Sequence, residues 1–270
     1  RHCDRFIVFL QDDPSLHRSS KYKPVIPLWD RYEALMAIEY IDEVYVSTED
    51  DEIAAISEEY GGSDFGMMGL GGVLEETGRC LVPSPLFSTA LLGASLLQIG
   101  GNSNQKEDLL AKIAKGNLTT AFALEEGPRH SPNKISTTAS KKGGKFVLNG
   151  KKTFVIDGAS ADLLIVLART SGNKGESSGL TLFLIDSNDT GIERIKLDMA
   201  DSRNYANINF NNVEVSAKNI LGDEETGGET AENILDIGRI ALASEMLGNA
   251  EAAFETTLDY LKQRKQFGVL

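Results

Sequence analysis

The sequence is short of several things, and each shortage excludes something. It has only two cysteines, Cys3 and Cys80. They show no metal-ligand spacing and cannot form a disulfide framework, so a reducing, cytoplasmic setting is expected. Its three histidines, His2, His17 and His130, are scattered along the chain, and no metal cluster can be read from them. No apolar run reaches the roughly 18 residues that a membrane span needs, and no signal peptide is read. Positive charge is short as well: 27 Lys and Arg stand against 40 Asp and Glu, a formal net charge of -13. Nucleic acid and anionic membranes are therefore not expected partners. An anionic ligand would have to be held by local cations against the overall field. The first residue is Arg1 rather than Met, and a trimmed or incomplete start is expected.

What remains is the material of a folded protein. Hydrophobic residues make up 41% of the 270, enough for a sizeable core and more than one domain. The pattern divides the chain into four stretches. Residues 1–56 carry a buried-strand run at Phe6–Leu10, a helical pattern from Trp29 to Tyr40, and a second short strand at Glu43–Val46. That β–α–β order predicts a piece of parallel α/β sheet. Residues 57–118 predict helices around 67–79, 85–99 and 105–115, and the glycine-rich run Gly66–Gly72 reads as a turn. It is no dinucleotide fingerprint, because no strand leads into it and the glycine spacing is wrong. Residues 119–222 shift to a period of two. Strands are expected at 145–148, 151–156, 163–168, 180–185, 192–197 and 206–215, with Asn149-Gly150 as a type I′ hairpin turn, giving an antiparallel β-domain. Residues 223–270 hold one long helix from about Thr230 to Gln266. Its apolar residues lie on more than one face, which predicts burial in a bundle or at a subunit interface.

Several motifs then point to one family. They are Glu59-Tyr60-Gly61-Gly62, Glu75-Glu76-Thr77-Gly78-Arg79, and Leu148-Asn149-Gly150-Lys151-Lys152-Thr153-Phe154-Val155-Ile156. Ala161-Asp162, Leu167-Ala168-Arg169, Phe210-Asn211-Asn212-Val213-Glu214-Val215, and the ending Tyr260, Arg264, Gln266-Phe267-Gly268 follow in order. From about residue 57 to 270 the chain resembles the acyl-CoA dehydrogenases, lacking their C-terminal helices. The resemblance implies an α+β fold of helical segment, β-domain and long helix. It implies FAD as cofactor, an acyl-CoA thioester as substrate of α,β-oxidation, and an electron-transfer flavoprotein or similar acceptor. It also implies a homo- or hetero-oligomer.

Carried over by position, Leu124, Glu125, Phe154 and Ile156 match the flavin-contacting residues. Arg264 and Phe267 match residues that touch the FAD of a neighbouring subunit. Ser131, Asp236 and Arg239 match positions along the acyl-CoA site. Two departures stand out. Glu125 and Ile156 both stand where the family has a threonine, so two hydroxyls are lost, and a carboxylate at Glu125 aimed at the ring would disfavour an anionic reduced flavin. The catalytic glutamate is absent: the family's minority position falls on Gly238, and Glu245 lies about 10 Å further along the helix, out of reach.

Plainer readings stand beside these. Phe154 could be hairpin core, Arg239 and Arg264 solvated helix residues, and Asp236 a complement to the helix dipole. The first 56 residues, through Cys3–Val8, Lys23–Pro27, Arg31 and Tyr40–Val44, resemble a fragment of a glycerol-phosphate-type cytidylyltransferase without its nucleotide-binding motif. Two further function classes follow: a non-catalytic flavin-binding or subunit-interaction scaffold, and a nucleotidyltransferase remnant.

Overall fold

The computed structural model describes residues 7–11, 43–47, 58–60, 62, 66–201 and 203–265. The chain is α+β and divides into two units. One takes in residues 1–53, 64–82 and 241–270, the other 54–63 and 83–240.

In the first unit, β1 (Ile7–Gln11) and β2 (Glu43–Ser47) pair in parallel, Ile7 opposite Glu43. A parallel pair needs a crossover between its strands. The helix expected at 29–40 would lie in it, outside the described residues. The same unit holds α1 (Gly66–Cys80) and the second half, from Ala241, of the last helix α5 (Gly227–Gln263). The helix expected around 67–79 is present as α1, and it takes in the run Gly66–Gly72 that the sequence pattern reads as a turn. α1 and α5 approach so closely that side chains are excluded at the crossing. A Cβ on Gly78 would lie 1.9 Å from the Glu245 carbonyl oxygen, and one on Gly248 would lie 1.7 Å from that of Glu75. Arg79 closes the crossing with ion pairs to Glu251 at 2.8 Å and Glu255 at 2.7 Å. Beyond it, Met246, Leu247, Phe254 and Leu261 of α5 stand at least half exposed.

The second unit is built on an eight-stranded sheet. Its strands are β3 (Thr120–Ala123), β4 (Thr138–Lys142), β5 (Lys145–Ile156), β6 (Leu163–Arg169), β7 (Leu180–Asp186), β8 (Ile192–Leu197), β9 (Tyr205–Ser216) and β10 (Ile220–Leu221). The order is β10-β7-β6-β4-β5-β9-β8, with β3 also on β6. The antiparallel expectation holds for most neighbours, but β3 and β4 both meet β6 in parallel. Strand β6 reads as an unbroken apolar run because both its faces are buried. Leu164, Val166 and Ala168 join Phe146, Phe183 and Phe210 in one core. Ile165 and Leu167 point the other way, into a second core with Leu96 and Leu97 of α2 (Ala94–Gly100) and Ala231 and Ile234 of α5. A π-helical stretch, Leu86–Gly93, leads into α2. After α2 the helical run 103–114 begins with α3 (Ser103–Gln105), closed by an Asn102/Gln105 capping box, and ends with α4 (Ala111–Ala114).

The Asn149-Gly150 turn is not there. Strand β5 runs straight through both residues, and the register against β9 slips between Leu148 and Gly150. The hairpin turns one step earlier, at Gly143-Gly144, whose φ angles of 59° and 81° are those of a type I′ turn. Gly150 serves close approach instead: a Cβ there would lie 2.4 Å from Thr137 Oγ1. Asn149 is used across the sheet, its Oδ1 accepting the Asn212 N–H at 2.9 Å.

Candidate functional site

The site begins with a second irregularity in β5. Register against β9 slips again between Lys152 and Val155, so Thr153 and Phe154 bulge out of the ladder. Phe154 sits at φ 51°, in the left-handed region, a conformation that costs a bulky residue roughly 1–2 kcal/mol. Its N–H donates to Asn207 Oδ1 at 3.3 Å. Phe154 is 44% exposed, so its plain reading as hairpin core fails. An aromatic face is held out on a strained but anchored backbone.

The anchor is the segment after β3, Leu124 to Gly127. Each of its four residues is gripped by Lys152 or Thr153. The Leu124 carbonyl accepts from Lys152 Nζ at 2.9 Å, and the Glu126 carboxylate accepts from the same nitrogen at 2.9 Å. The Glu125 carbonyl accepts the Thr153 N–H at 2.7 Å, and the Gly127 carbonyl accepts the Thr153 hydroxyl at 3.1 Å. The second Glu126 oxygen and the first also receive the Ser136 and Thr137 N–H groups, at 2.6 and 2.9 Å. Lys152 is fully buried. Burial lowers its pKa to about 8, and the nearby Glu126 carboxylate, with a smaller contribution from Glu125, opposes the fall. Burial works against the Glu126 carboxylate too, but Lys152 and the hydrogen bonds from Thr137 leave its pKa lowered.

The Glu125 side chain does not project freely. Its carboxylate accepts the Ser131 N–H at 3.1 Å and meets His130 Nδ1 at 2.6 Å, which ties down the loop 128–131. At the far end of β5, Asp157 is also left-handed, at φ 57°. Its carboxylate accepts from the Ser88 hydroxyl of the π-helical stretch. Burial raises the Asp157 pKa, and the Ser88 bond opposes that rise. Thr89 of the same stretch brackets Thr120 at the start of β3, accepting its N–H at 2.9 Å and donating to its carbonyl at 3.2 Å. The widened helix therefore braces β3 and β5 at once, as π-helical turns often do near functional sites.

Leu124, Glu125, Phe154 and Ser131 are thus brought together by direct bonds or one intervening residue. Ile156 is half-buried, paired with Tyr205 two residues beyond the bulge. Asp236 and Arg239 form an ion pair with each other on α5, and Arg239 also meets Glu232 at 3.3 Å. This is the solvated-helix arrangement, and no bond links them to the β5 bulge. Gly238 beside them packs on the π-helical stretch: a Cβ would lie 3.2 Å from Leu92. Arg264 belongs to the other unit and stacks on the Tyr260 ring, 5.4 Å from its centroid. Phe267 lies outside the described residues. Lys152, Glu126, Asp157 and Ser88 were not singled out by sequence. A lysine at an inward strand position was the available signal, since two adjacent lysines on a strand cannot both face solvent.

Three family models match in sequence: the acyl-CoA dehydrogenase N-terminal domain over residues 53–117, the middle domain over 121–213 and the C-terminal domain over 225–270. The chain belongs to the acyl-CoA dehydrogenase family. It is 36% identical over 220 residues to an acyl-CoA dehydrogenase of Bacillus subtilis, covering 79% of this chain and 58% of that one. It is 35% identical over 217 residues to the 3-(aryl)acrylate reductase of Clostridium sporogenes, covering 77% and 57%. Among solved structures, the butyryl-CoA dehydrogenase of Megasphaera elsdenii superposes with a TM-score of 0.73 at 33% identity, over 78% of this chain and 58% of that one. The chain therefore spans a little over half the length of these relatives. The family matches begin at residue 53, so the cytidylyltransferase likeness of the first 56 residues rests on its sequence motifs alone.

Acyl-CoA dehydrogenases are FAD-dependent flavoproteins. The residues of the β5 bulge fit a planar aromatic cofactor in kind: an exposed aromatic residue on a fixed backbone, beside a segment whose Leu124, Glu125 and Gly127 carbonyls already accept hydrogen bonds. Among the described residues no cluster suited to a metal ion occurs, and no helix is long and apolar enough to cross a membrane.

Proposed function

We propose that this chain is the flavin-holding part of an FAD-dependent oxidoreductase that acts on an acyl-CoA thioester. The observation that carries the proposal is the Phe154 bulge, an exposed aromatic in a strained conformation fixed to the Leu124–Gly127 segment. On this reading Leu124, Glu125, Phe154 and Ile156 line the flavin, and Ser131 stands toward the CoA arm. Asp236 and Arg239 border the acyl group, while Arg264 and Phe267 reach a neighbouring subunit's flavin. Bound FAD would supply the two-electron acceptor. The residues of this chain hold it and keep water from its ring. The exposed apolar side chains of α5 support an oligomer, and an electron-transfer flavoprotein or similar protein is the proposed electron partner.

A second reading has its own support. Gly238 stands at the minority position of the family's base, and Leu92 closes against it, so no carboxylate is available there. With no base at that position, flavin binding without dehydrogenation is the alternative reading. The visible absorbance of the purified chain with FAD, and then with a mixed acyl-CoA panel, separates the readings. A bound-flavin spectrum bleached by an acyl-CoA supports the oxidoreductase. Bound flavin without bleaching supports the scaffold, and absence of bound flavin refutes both.

A further inference from the structure

Lys152 is the one fully buried charged side chain at the β5 bulge, and neither reading above gives it a role. Its surroundings are specific. The ammonium reaches the Leu124 carbonyl and the Glu126 carboxylate, while the next residue, Thr153, takes the carbonyls of Glu125 and Gly127. Two consecutive residues of β5 thus bind four consecutive residues of the facing segment, three times by side chain and once, from the Thr153 N–H to Glu125, by backbone. Glu126 extends the grip to the start of β4 through the Ser136 and Thr137 N–H groups. Phe154 follows immediately in the left-handed conformation.

Stability alone is a poor account of this pair. A buried ion pair is commonly replaced by neutral groups of similar size at little cost in folding free energy, because desolvation offsets the attraction. What such a pair does supply is one required geometry. The ammonium fits only where a carbonyl and a carboxylate both stand within about 3 Å. Hydrophobic packing at the same place would tolerate several positions of the segment.

We propose that Lys152 is a positioning residue, whose buried pair with Glu126 fixes the Leu124–Gly127 segment against Thr153 and so sets where the Phe154 ring is presented to the cofactor. The cofactor part of this rests on the flavin reading above; the fixing of the bulge does not. The charged groups that face Lys152 are Glu126 and, more distantly, Glu125. Glu125 itself meets His130. In this cluster it is Lys152 whose pKa, lowered by burial to about 8, places its change of charge in the slightly alkaline range.

The test uses the 270-residue chain with the substitutions Lys152→Met and Glu126→Gln made together. Gln keeps one acceptor oxygen, for the Thr137 N–H, and gives up the Ser136 bond. No unpaired buried charge is left, so the double variant is expected to fold where the single Lys152→Met, which strands the buried Glu126 carboxylate, is not. Two quantities are read on folded protein of comparable melting temperature: hydrogen exchange at the Thr153 amide, and FAD affinity from about pH 7 to 9.5. The double variant is expected to exchange Thr153 at least ten times faster, with β6 and β7 amides unchanged. It should bind FAD at least ten times more weakly, and the fall in affinity expected of the unsubstituted chain above about pH 8 should be absent. Unchanged exchange at Thr153 overturns the proposal, as does accelerated exchange with unaltered FAD affinity and pH profile. If the unsubstituted chain binds no FAD, the flavin reading fails. Thr153 exchange then still decides whether Lys152 fixes the bulge.

Discussion

Substitution of Gly150 by alanine tests the reading of β5 as one continuous strand. The Asn149-Gly150 dipeptide would be an exposed turn if it closed a hairpin, and alanine there would cost only the left-handed conformation, about 1 kcal/mol. In the structure the cost is larger. The new Cβ would meet Thr137 at 2.4 Å from Oγ1 and 2.7 Å from Cα, the second of these a backbone atom that cannot rotate away. Relief requires β5 to move away from the loop before β4, which overpacking data put at about 1–3 kcal/mol. With the φ of 153°, the total is about 3 kcal/mol. Gly143 and Gly144, at the actual turn, have nothing within 4 Å of an added Cβ. Alanine at either should cost about 1 kcal/mol through φ alone. For a unit of this size those figures correspond to a melting temperature lower by roughly 6–12 °C for Gly150→Ala and 2–4 °C for Gly143→Ala or Gly144→Ala. Thermal unfolding followed by circular dichroism measures all three. A larger loss at Gly144 than at Gly150 would refute the continuous strand and restore the hairpin at Asn149-Gly150.

Three other outcomes are expected. Lys152 titrates at about 8 in the folded chain against about 10.4 unfolded, so between those values the unfolded state binds more protons and stability rises with pH. The rise attributable to Lys152 is up to about 3 kcal/mol. Urea unfolding from about pH 7 to 10.5 should show it as a difference between the unsubstituted chain and the Lys152→Met/Glu126→Gln double variant, and equal slopes would contradict it. Arg169 is buried and donates to the carbonyls of Ile135, Ser171, Glu176 and Ser178. Arg169→Ala strips several buried acceptors at once and should cost about 3–5 kcal/mol in chemical denaturation. Gly248→Ala drives a Cβ into the backbone of α1 at Glu75. It should part the α1–α5 crossing, read as faster hydrogen exchange in residues 66–80, whereas protection as in the unsubstituted chain would show that the helices can slide apart without loss.

Period and composition determined much of this protein. The apolar runs along 163–168 and 180–185 and the alternation along 192–197 named strands that the structure contains, because a doubly buried strand is apolar throughout and a half-buried one alternates. The long apolar-faced helix before residue 266 was legible for the same reason, and the ordered motifs from Glu59 to Arg264 were enough to name the family. Tertiary structure decided whatever depended on a partner distant in sequence. Glycine is one residue with two uses, and sequence does not tell them apart. At Gly150 and Gly248 it permits close approach, at Gly143-Gly144 it permits the turn, and only the facing chain reveals which. The parallel joins of β3 and β4 to β6 depend on which edge lies beside which. The same holds for the site. Phe154 was visible as a matching letter, but its exposure follows from a register slip against β9. The burial of Lys152 follows from the fold of Leu124–Gly127 over it, a contact across 26 residues to Glu126 that no local pattern encodes.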